Sequence, residues 1–314
     1  MKRLMMAAMT CLVAACLGMA LAGCSSQSYT PAAKQQTISA AALGTAGTLR
    51  VGVNATSAPL AGQTSNSARI VGIDVDVAAY IADQLGVKVE IIDVGADPAT
   101  ALSSKKVDVV LGVDASDTTA TYWRSASYLE SGVALFGRTT ETAVPTIDSH
   151  PTIAAQVSSK SSWRVSNLYG EQSLATQPDL KSAFAALDKG TARYVAADAV
   201  IGTYVAHTSD VDAKIVALLQ DPSGYCAAVA QTNAELQGAI TSALDKLKNG
   251  GMLDIIETKW LGTTLNFASA PVVKAATPSP AASNSAAAAN PNANANNAEG
   301  NNGEDTGEEG EGEN

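Results

Sequence analysis

Short β-branched and apolar runs alternate with amphipathic stretches over residues 48–267, and this alternation limits the fold more than any other feature of the chain. Apolar runs of about four to eight residues predict strands, whereas apolar residues every three to four positions predict helices. The first half predicts 48–53 (strand), 75–85 (helix), 87–94 (strand), 99–104 (helix) and 107–113 (strand). This βαβαβ order indicates an α/β fold with a mainly parallel sheet.

The second half repeats the alternation with a different sequence. It predicts 152–157 (strand), 161–170 (helix), 180–189 (helix), 194–197 (strand) and 199–207 (helix). Two more helices are predicted over 233–261, where Gly250 and Gly251 end the first one. We therefore expect two α/β lobes, with a binding site in the cleft between them.

The N-terminus carries the features of a secretory signal. Lys2 and Arg3 precede an apolar run, 4–22, that contains no acidic residue. The run ends in Leu-Ala-Gly-Cys24, which resembles the lipobox of bacterial lipoproteins, where a diacylglycerol is attached to the cysteine sulfur. The alternative is an ordinary signal followed by a chance cysteine. The lipobox interpretation predicts a signal peptide at 1–23 and a lipid anchor on Cys24 at the extracytoplasmic face of a bacterial membrane.

Segments of low complexity flank the predicted folded unit. Residues 24–47 are expected to combine the lipidated cysteine with a flexible tether. Residues 268–314, rich in Ala, Asn, Gly and Glu, carry seven acids after Lys274 and are expected to form a disordered acidic tail. The formal net charge of −10 argues against nucleic acid as a partner.

The cysteines and histidines argue against disulfide and metal chemistry. Once a signal peptide is removed, acylation of Cys24 leaves Cys226 without a disulfide partner, and its apolar surroundings predict a buried strand thiol. His150 and His207 lack metal-ligand spacing, and no nucleotide-binding motif or nucleophile elbow occurs. No cofactor or metal is therefore expected.

Several separated blocks carry a resemblance to one protein family. They are LRVGV at 49–53, VGIDVDV at 71–77, KVDVV at 106–110, SYL at 127–129, ALDKG at 186–190, VAAD at 195–198 and KWLG at 259–262. In order and spacing they resemble the bacterial extracellular solute-binding proteins of family 3, which capture amino acids for ABC importers.

The resemblance implies a two-lobed, periplasmic-binding-protein-like type II fold in which each lobe has a mainly parallel sheet flanked by helices. Lobe 1 would comprise residues 48–137 plus 229–267 and lobe 2 residues 138–228, with hinge crossovers near 136–140 and 226–231. The resemblance also implies a monomer that delivers its solute to an ABC permease.

The resemblance further implies two ligand-binding groups in lobe 2. Asp198 matches the aspartate that takes the α-amino group of the ligand, and its other interpretation is an N-cap of the helix that begins at Ala199. Ser158, Ser159 and Lys160 match a loop whose hydroxyls and helix N-terminal amides hold a carboxylate; the alternative is a simple serine N-cap.

Lobe 1 departs from the family pattern. The family's carboxylate-binding arginine is expected near Thr119 or Ala120, neither of which is basic. Arg124 or Lys160 is the candidate substitute, although either also fits a solvated surface charge. Leu60 replaces the family's stacking phenylalanine, so an aromatic wall would have to come from Tyr122 or Trp123.

Four further residues, Asn54, Gly112, Asp114 and Ser116, complete the ligand-binding set expected in lobe 1. Asp114 and the nearby Asp117 would repel a carboxylate, which favours a cationic or neutral solute.

These features predict a membrane-anchored binding protein for a small polar solute, an amino acid or analogue, rather than an enzyme. The alternatives are a ligand sensor or protein-docking module of the same fold, a cyclohexadienyl-dehydratase-like enzyme, and a binder that has lost its ligand. A dehydratase would need a general acid in the cleft, for which Glu90 and Glu130 are candidates.

Overall fold

Two five-stranded sheets form the frame of the protein, and a small three-stranded sheet accompanies them. The structure is a computed structural model that describes residues 34–64, 66–117 and 120–274. The strands are β1 (Thr48–Val53), β2 (Thr56–Ser57), β3 (Ala61–Gln63), β4 (Ile70–Val71), β5 (Lys88–Asp93), β6 (Val109–Asp114), β7 (Trp123–Arg124), β8 (Val133–Arg138), β9 (Ile153–Gln156), β10 (Leu174–Gln177), β11 (Tyr194–Asp198), β12 (Ala213–Leu218) and β13 (Tyr225–Val229). The α-helices are α1 (Ile73–Leu85), α2 (Pro98–Ser103), α3 (Lys160–Tyr169), α4 (Leu180–Asp188), α5 (Ala199–Thr208), α6 (Ala234–Asn249) and α7 (Met252–Leu261).

The sheet of lobe 1 has the strand order β5-β1-β6-β13-β7. β1 pairs in parallel with β5 and β6, whereas β13 is antiparallel to β6 and β7. Helices α1, α6 and α7 bury their apolar sides on one face of this sheet, and α2 packs on the other, where Cys226 is buried. Burial raises the pKa of the Cys226 thiol to about 11, as expected for an inert strand cysteine.

The sheet of lobe 2 has the order β10-β9-β11-β8-β12, with β9, β10 and β11 parallel and β8 antiparallel to β11 and β12. Helices α4 and α5 cover one face, where Phe136 and Phe184 meet edge to face at 5.2 Å. Helix α3 covers the other face. Helices on both faces of sheets that contain parallel strands confirm the predicted α/β class.

The chain passes between the lobes earlier than the sequence predicts. β8 begins at Val133 and belongs to lobe 2, and β13 begins at Tyr225 and belongs to lobe 1. The first crossover is therefore residues 129–132 and the second is residues 220–224, not 136–140 and 226–231. The difference arises because both strands are uniformly apolar, so their pattern does not show which sheet they join.

Part of the expected tether packs on lobe 1. Ile38, Ala42 and Leu43 are buried in the core of that lobe, and the Thr37 amide donates to Leu85 O at 3.0 Å. Residues 37–43 thus differ from the flexible tether predicted for 24–47, because their few apolar side chains find a site against α1 and α6.

The segment after α7 also packs, and we call residues 262–274 the C-terminal strap. The Glu257 carboxylate in α7 accepts from the Leu265 amide at 2.9 Å, and Phe267 is buried in the core of lobe 2. Further on, Leu218 N donates to Pro271 O and Val273 N to Leu218 O, both at 2.8 Å. The strap therefore connects α7 to the edge of β12, so residues 268–274 differ from the predicted disordered tail.

Three predictions concern residues outside the described part of the chain: the signal peptide, acylation at Cys24 and the tail beyond residue 274. Within the described part, no helix is long and apolar enough to span a membrane.

Candidate functional site

A cavity of about 180 Å³ lies between the lobes, beside both crossovers. Its lining comes from lobe 1, lobe 2 and the crossovers: Asp114, Ser131, Gly132, Val133, Lys160, Ser161, Asp198, Gln220, Ser223, Gly224 and Tyr225. A second cavity, of about 230 Å³, lies on the lobe 1 side and is lined by residues that include Asn54, Gly112, Asp114, Asp117 and Tyr122. Asp114 lines both cavities, which identifies it as their junction.

A larger groove, of about 630 Å³, lies between α5, β12 and the C-terminal strap. Charged side chains from the two lobes converge on the smaller cavity between the lobes. Such convergence of polar groups in a concave site is what a small polar solute requires.

Asp198 ends β11 and is the N-cap of α5. Its Oδ1 accepts from the Val200 and Ile201 amides, both at 3.0 Å, and its Oδ2 accepts from Ser131 Oγ at 2.7 Å. Burial raises the pKa of the Asp198 carboxyl, whereas these hydrogen bonds and one with Tyr225 act in the opposite direction. The capping interpretation of Asp198 is thus realised, and the side chain also lines the cavity.

Lys160 and Asp114 join the two lobes across the cavity. Lys160 Nζ, at the start of α3, lies 3.1 Å from Asp114 Oδ2 and 3.1 Å from Ser116 Oγ. Partial burial of Asp114 favours a higher pKa, but hydrogen bonds from Ser116 and the ion pair with Lys160 outweigh it and hold the pKa below its usual value. Both side chains of the pair are about half exposed, at 56% for Lys160 and 48% for Asp114.

The loop before α3 forms a capping box. Ser159 Oγ accepts from the Ser162 amide at 3.0 Å, and Ser162 Oγ accepts from the Ser159 amide at 3.1 Å. Ser158 has a positive φ of 55°, which turns the chain into the helix. The box satisfies the first amides of α3 internally and holds Lys160 at the cavity wall.

Position 112 in β6 requires glycine, because of its backbone conformation and the nearby side chain of Asp74. The φ of Gly112 is +73°, and a Cβ at this position would lie 2.4 Å from Asp74 Oδ2. Its amide donates to the Tyr128 hydroxyl at 2.9 Å, and that hydroxyl donates to Asp74 Oδ1 at 2.5 Å. A buried chain of hydrogen bonds thus runs from the cavity strand through Tyr128, next to the first crossover, to α1.

Five predicted site residues line neither cavity: Leu60, Ser116, Arg124, Ser158 and Ser159. Leu60 is buried in the core of lobe 1 and lines neither cavity, because the turn at β2 and β3 directs it inward. Arg124 also lines neither cavity, and its Nη1 donates to Ala115 O at 3.1 Å, which holds the loop after β6. Thr119, one of the positions expected to correspond to the family's arginine, lies outside the described residues.

Sequence reasoning missed the crossover residues of the cavity. Ser131 and Tyr225 contact Asp198, and Gln220 and Ser223 line the cavity from the second crossover. The crossovers are themselves paired, since Ser223 N donates to Ser131 O and Tyr225 N to Leu129 O, both at 2.8 Å. The only available signal was Gly132 beside the SYL block, which points to the first crossover but does not identify the second.

Three solved structures with a similar architecture are described as solute-binding proteins or a solute receptor. An ancestral cationic amino acid solute-binding protein is 22% identical, with 68% of this chain and 96% of that chain covered and a TM-score of 0.59. The L-cystine solute receptor of Neisseria gonorrhoeae is 22% identical, with 69% and 93% covered and a TM-score of 0.61. A polar amino acid ABC uptake transporter substrate-binding protein from Streptococcus thermophilus is 17% identical, with 69% and 87% covered and a TM-score of 0.61. No curated protein matches the chain.

These likenesses establish the two-lobed, periplasmic-binding-protein-like type II fold predicted from the sequence. A family model matches residues 49–263, from β1 to the start of the C-terminal strap, which is more than half of the chain. The chain therefore belongs to the bacterial extracellular solute-binding proteins of family 3.

Proposed function

We propose that this protein captures a small polar solute, an amino acid or close analogue, between its lobes and delivers it to an ABC importer. One observation carries the proposal: Asp114 from lobe 1 and Lys160 and Asp198 from lobe 2 converge on a single cavity beside the crossovers. A zwitterion needs both charge signs within a few ångströms, and these residues supply both. The amino acid solutes named for the similar structures support the same class of ligand.

The mechanism that we infer is capture by lobe closure. The crossovers are short paired segments that join two separate sheets, so rotation about them changes the distance between Asp114 and Lys160 while each sheet stays intact. A solute that contacts both lobes favours the closed arrangement, because only that arrangement satisfies all its polar groups. A permease would then recognise the closed form.

Solute binding is tested by a thermal-shift screen of the full chain with Cys24→Ser, which prevents lipidation, against the twenty common L-amino acids. Binding to the folded state alone is expected to stabilise it by about 2.7 kcal/mol at a hundredfold excess over Kd. Small-angle scattering on a hit should show a smaller radius of gyration. A screen without any shift would contradict the proposal and favour a protein-docking role.

We also propose that the protein is anchored by acylated Cys24 at the extracytoplasmic face of the membrane. In a bacterial host, radiolabelled palmitate should label the wild-type chain and leave Cys24→Ser unlabelled. Cys226→Ser is the control, because this buried thiol is not expected to be acylated. Equal labelling of wild type and Cys24→Ser would exclude the anchor.

The enzymatic alternative finds no support in the cavities of the described residues. Glu90 and Glu130 are both exposed and line neither cavity. Family membership favours binding over catalysis.

A further inference from the structure

We propose that ligand recognition in this protein places the acid on lobe 1 and the base on lobe 2, with Asp114 taking the ligand's ammonium and Lys160 its carboxylate. This inference rests on the proposed function. It departs from the family pattern described above, in which an arginine of lobe 1 takes the carboxylate and the aspartate at Asp198 takes the ammonium.

The first argument is that the Asp198 carboxylate is already occupied. Two amides of α5 donate to its Oδ1, and Ser131 donates to its Oδ2. Tyr225 adds a further hydrogen bond to the same carboxylate. A carboxylate with four donors has little acceptor capacity left for an ammonium group. Asp198 therefore holds the crossovers and α5 in position instead of providing the main charge for the ligand.

The second argument is that Asp114 is available where the ligand must lie. It joins the two cavities, and its side chain is 48% exposed. Its Oδ1 accepts from the Ser116 amide at 2.8 Å, which orients the carboxylate, while Oδ2 faces Lys160. The partner of Oδ2 is thus an ammonium group that reaches in from the other lobe.

The third argument concerns what a ligand would replace. An ion pair as exposed as Lys160 and Asp114 contributes little to stability, so its separation costs little. A zwitterion inserted between the two residues gives each of them a new partner of the opposite charge. The pair therefore marks the positions of the ligand's two charges, and lobe closure on a zwitterion restores the ionic connection between the lobes through the ligand.

The test uses the full chain with Cys24→Ser and isothermal titration calorimetry. The probes are the twenty common L-amino acids and, for the tightest binder, its α-amide, which lacks the carboxylate charge, and its N-acetyl form, which lacks the ammonium charge. The variants are Asp114→Asn, Lys160→Met and Asp198→Asn. Lys181→Met and Asp188→Asn, on exposed side chains of α4, are the matched controls.

Wild type should prefer the free amino acid over both derivatives by about tenfold or more, as charge-assisted hydrogen bonds require. Asp114→Asn should weaken binding of the free amino acid by a similar factor. It should also abolish the preference for the free amino acid over its N-acetyl form. Lys160→Met should abolish the preference over the α-amide. Asp198→Asn should weaken binding of the free amino acid and of both derivatives by the same factor, because it loosens the crossovers and α5, and so keep both preferences. The two control variants should change neither the affinities nor the preferences.

Two outcomes would overturn the assignment while leaving the proposed function intact. One is a wild type that binds the N-acetyl form as tightly as the free amino acid. The other is loss of the N-acetyl discrimination in Asp198→Asn but not in Asp114→Asn. If no amino acid binds wild type, the proposed function fails and this inference fails with it.

Discussion

At the scale of single residues, three carboxylates near the cavity differ in how the protein treats their charge. Asp114 is partly exposed and paired with Lys160, and its pKa is lowered. Asp198 is surrounded by donors, yet burial still raises its pKa. Asp74 is fully buried, and burial raises its pKa to about 7 despite the hydrogen bond from Tyr128. A carboxyl with a pKa of about 7 changes its charge near neutral pH.

Asp74 should make the protein less stable as pH rises from 3.8 to about 7. The folded state keeps the Asp74 proton up to about pH 7, whereas the unfolded chain releases it near its usual pKa of 3.8. Between these values the folded state binds more protons, so the free energy of unfolding falls as pH rises, by at most about 1.4 kcal/mol per pH unit. Asp74→Asn, which keeps an acceptor for Tyr128, should flatten this slope in urea denaturation series at pH 5 to 7.5.

The free energy of unfolding of Asp74→Asn should still fall somewhat as pH rises, because burial also raises the pKa of Asp198 and Glu257. Asp188→Asn, on an exposed side chain, should keep the wild-type slope. Equal slopes for Asp74→Asn and wild type would show that Asp74 does not titrate in this range.

At the scale of elements, two pairs of distant sequence blocks prove to be contact pairs in lobe 1. Asp76 in α1 accepts from Lys259 Nζ at 2.6 Å and from Trp260 Nε1 at 2.7 Å, both in α7. Arg50 in β1 binds Asp108 through two side-chain hydrogen bonds, of 3.2 and 2.7 Å. The block at 71–77 therefore contacts the block at 259–262, and the block at 49–53 contacts the block at 106–110. These side-chain contacts give the charged residues of the four blocks a structural role in lobe 1.

The second crossover depends on Gly224. Its φ is +140°, and a Cβ there would lie 2.3 Å from Leu129 O in the neighbouring chain segment. Gly224→Ala should therefore destabilise the protein by about 2 kcal/mol or more, through backbone strain and separation of the paired crossovers. Thermal and urea denaturation measure the loss.

Gly238 provides the control for Gly224→Ala, because replacing it with alanine should increase stability. It lies within α6 with no atom within 4 Å of an added Cβ, so Gly238→Ala should stabilise by about 0.5–1 kcal/mol. If Gly224→Ala were as well tolerated, the crossovers would not be held at the observed distance.

At the scale of the whole molecule, the C-terminal strap is a third connection between the lobes. It leaves α7, crosses to lobe 2, buries Phe267 beside Phe136 and Leu218, and bonds to the edge of β12. β12 is an edge strand, and an edge strand exposes unpaired backbone groups. The strap covers part of this edge through its bonds to Leu218. The family model ends at residue 263, just as the strap begins.

Phe267 should anchor the strap. Phe267→Ala removes a side chain that is only 6% exposed, so it should cost about 3 kcal/mol, or less if the strap detaches locally. Detachment would appear as faster hydrogen exchange at the Leu218 and Val273 amides, which bond across the contact. Ile255→Ala, at a side chain that is 62% exposed, should change neither quantity. Unchanged exchange in Phe267→Ala would show that the backbone bonds alone hold the strap.

The sequence by itself determined the type and order of most elements, because hydrophobic periodicity and glycine breaks are local signals. It also indicated the family, since the matching blocks preserve both residues and spacing. Only the tertiary structure decided where the chain changes lobes, that Leu60 and Arg124 lie away from the cavities, and that Asp198 is occupied while Asp114 faces Lys160. These outcomes depend on contacts between residues far apart in the chain, such as Ser131 with Asp198 and Leu218 with the strap. No local pattern encodes which of several suitable partners such a residue will meet.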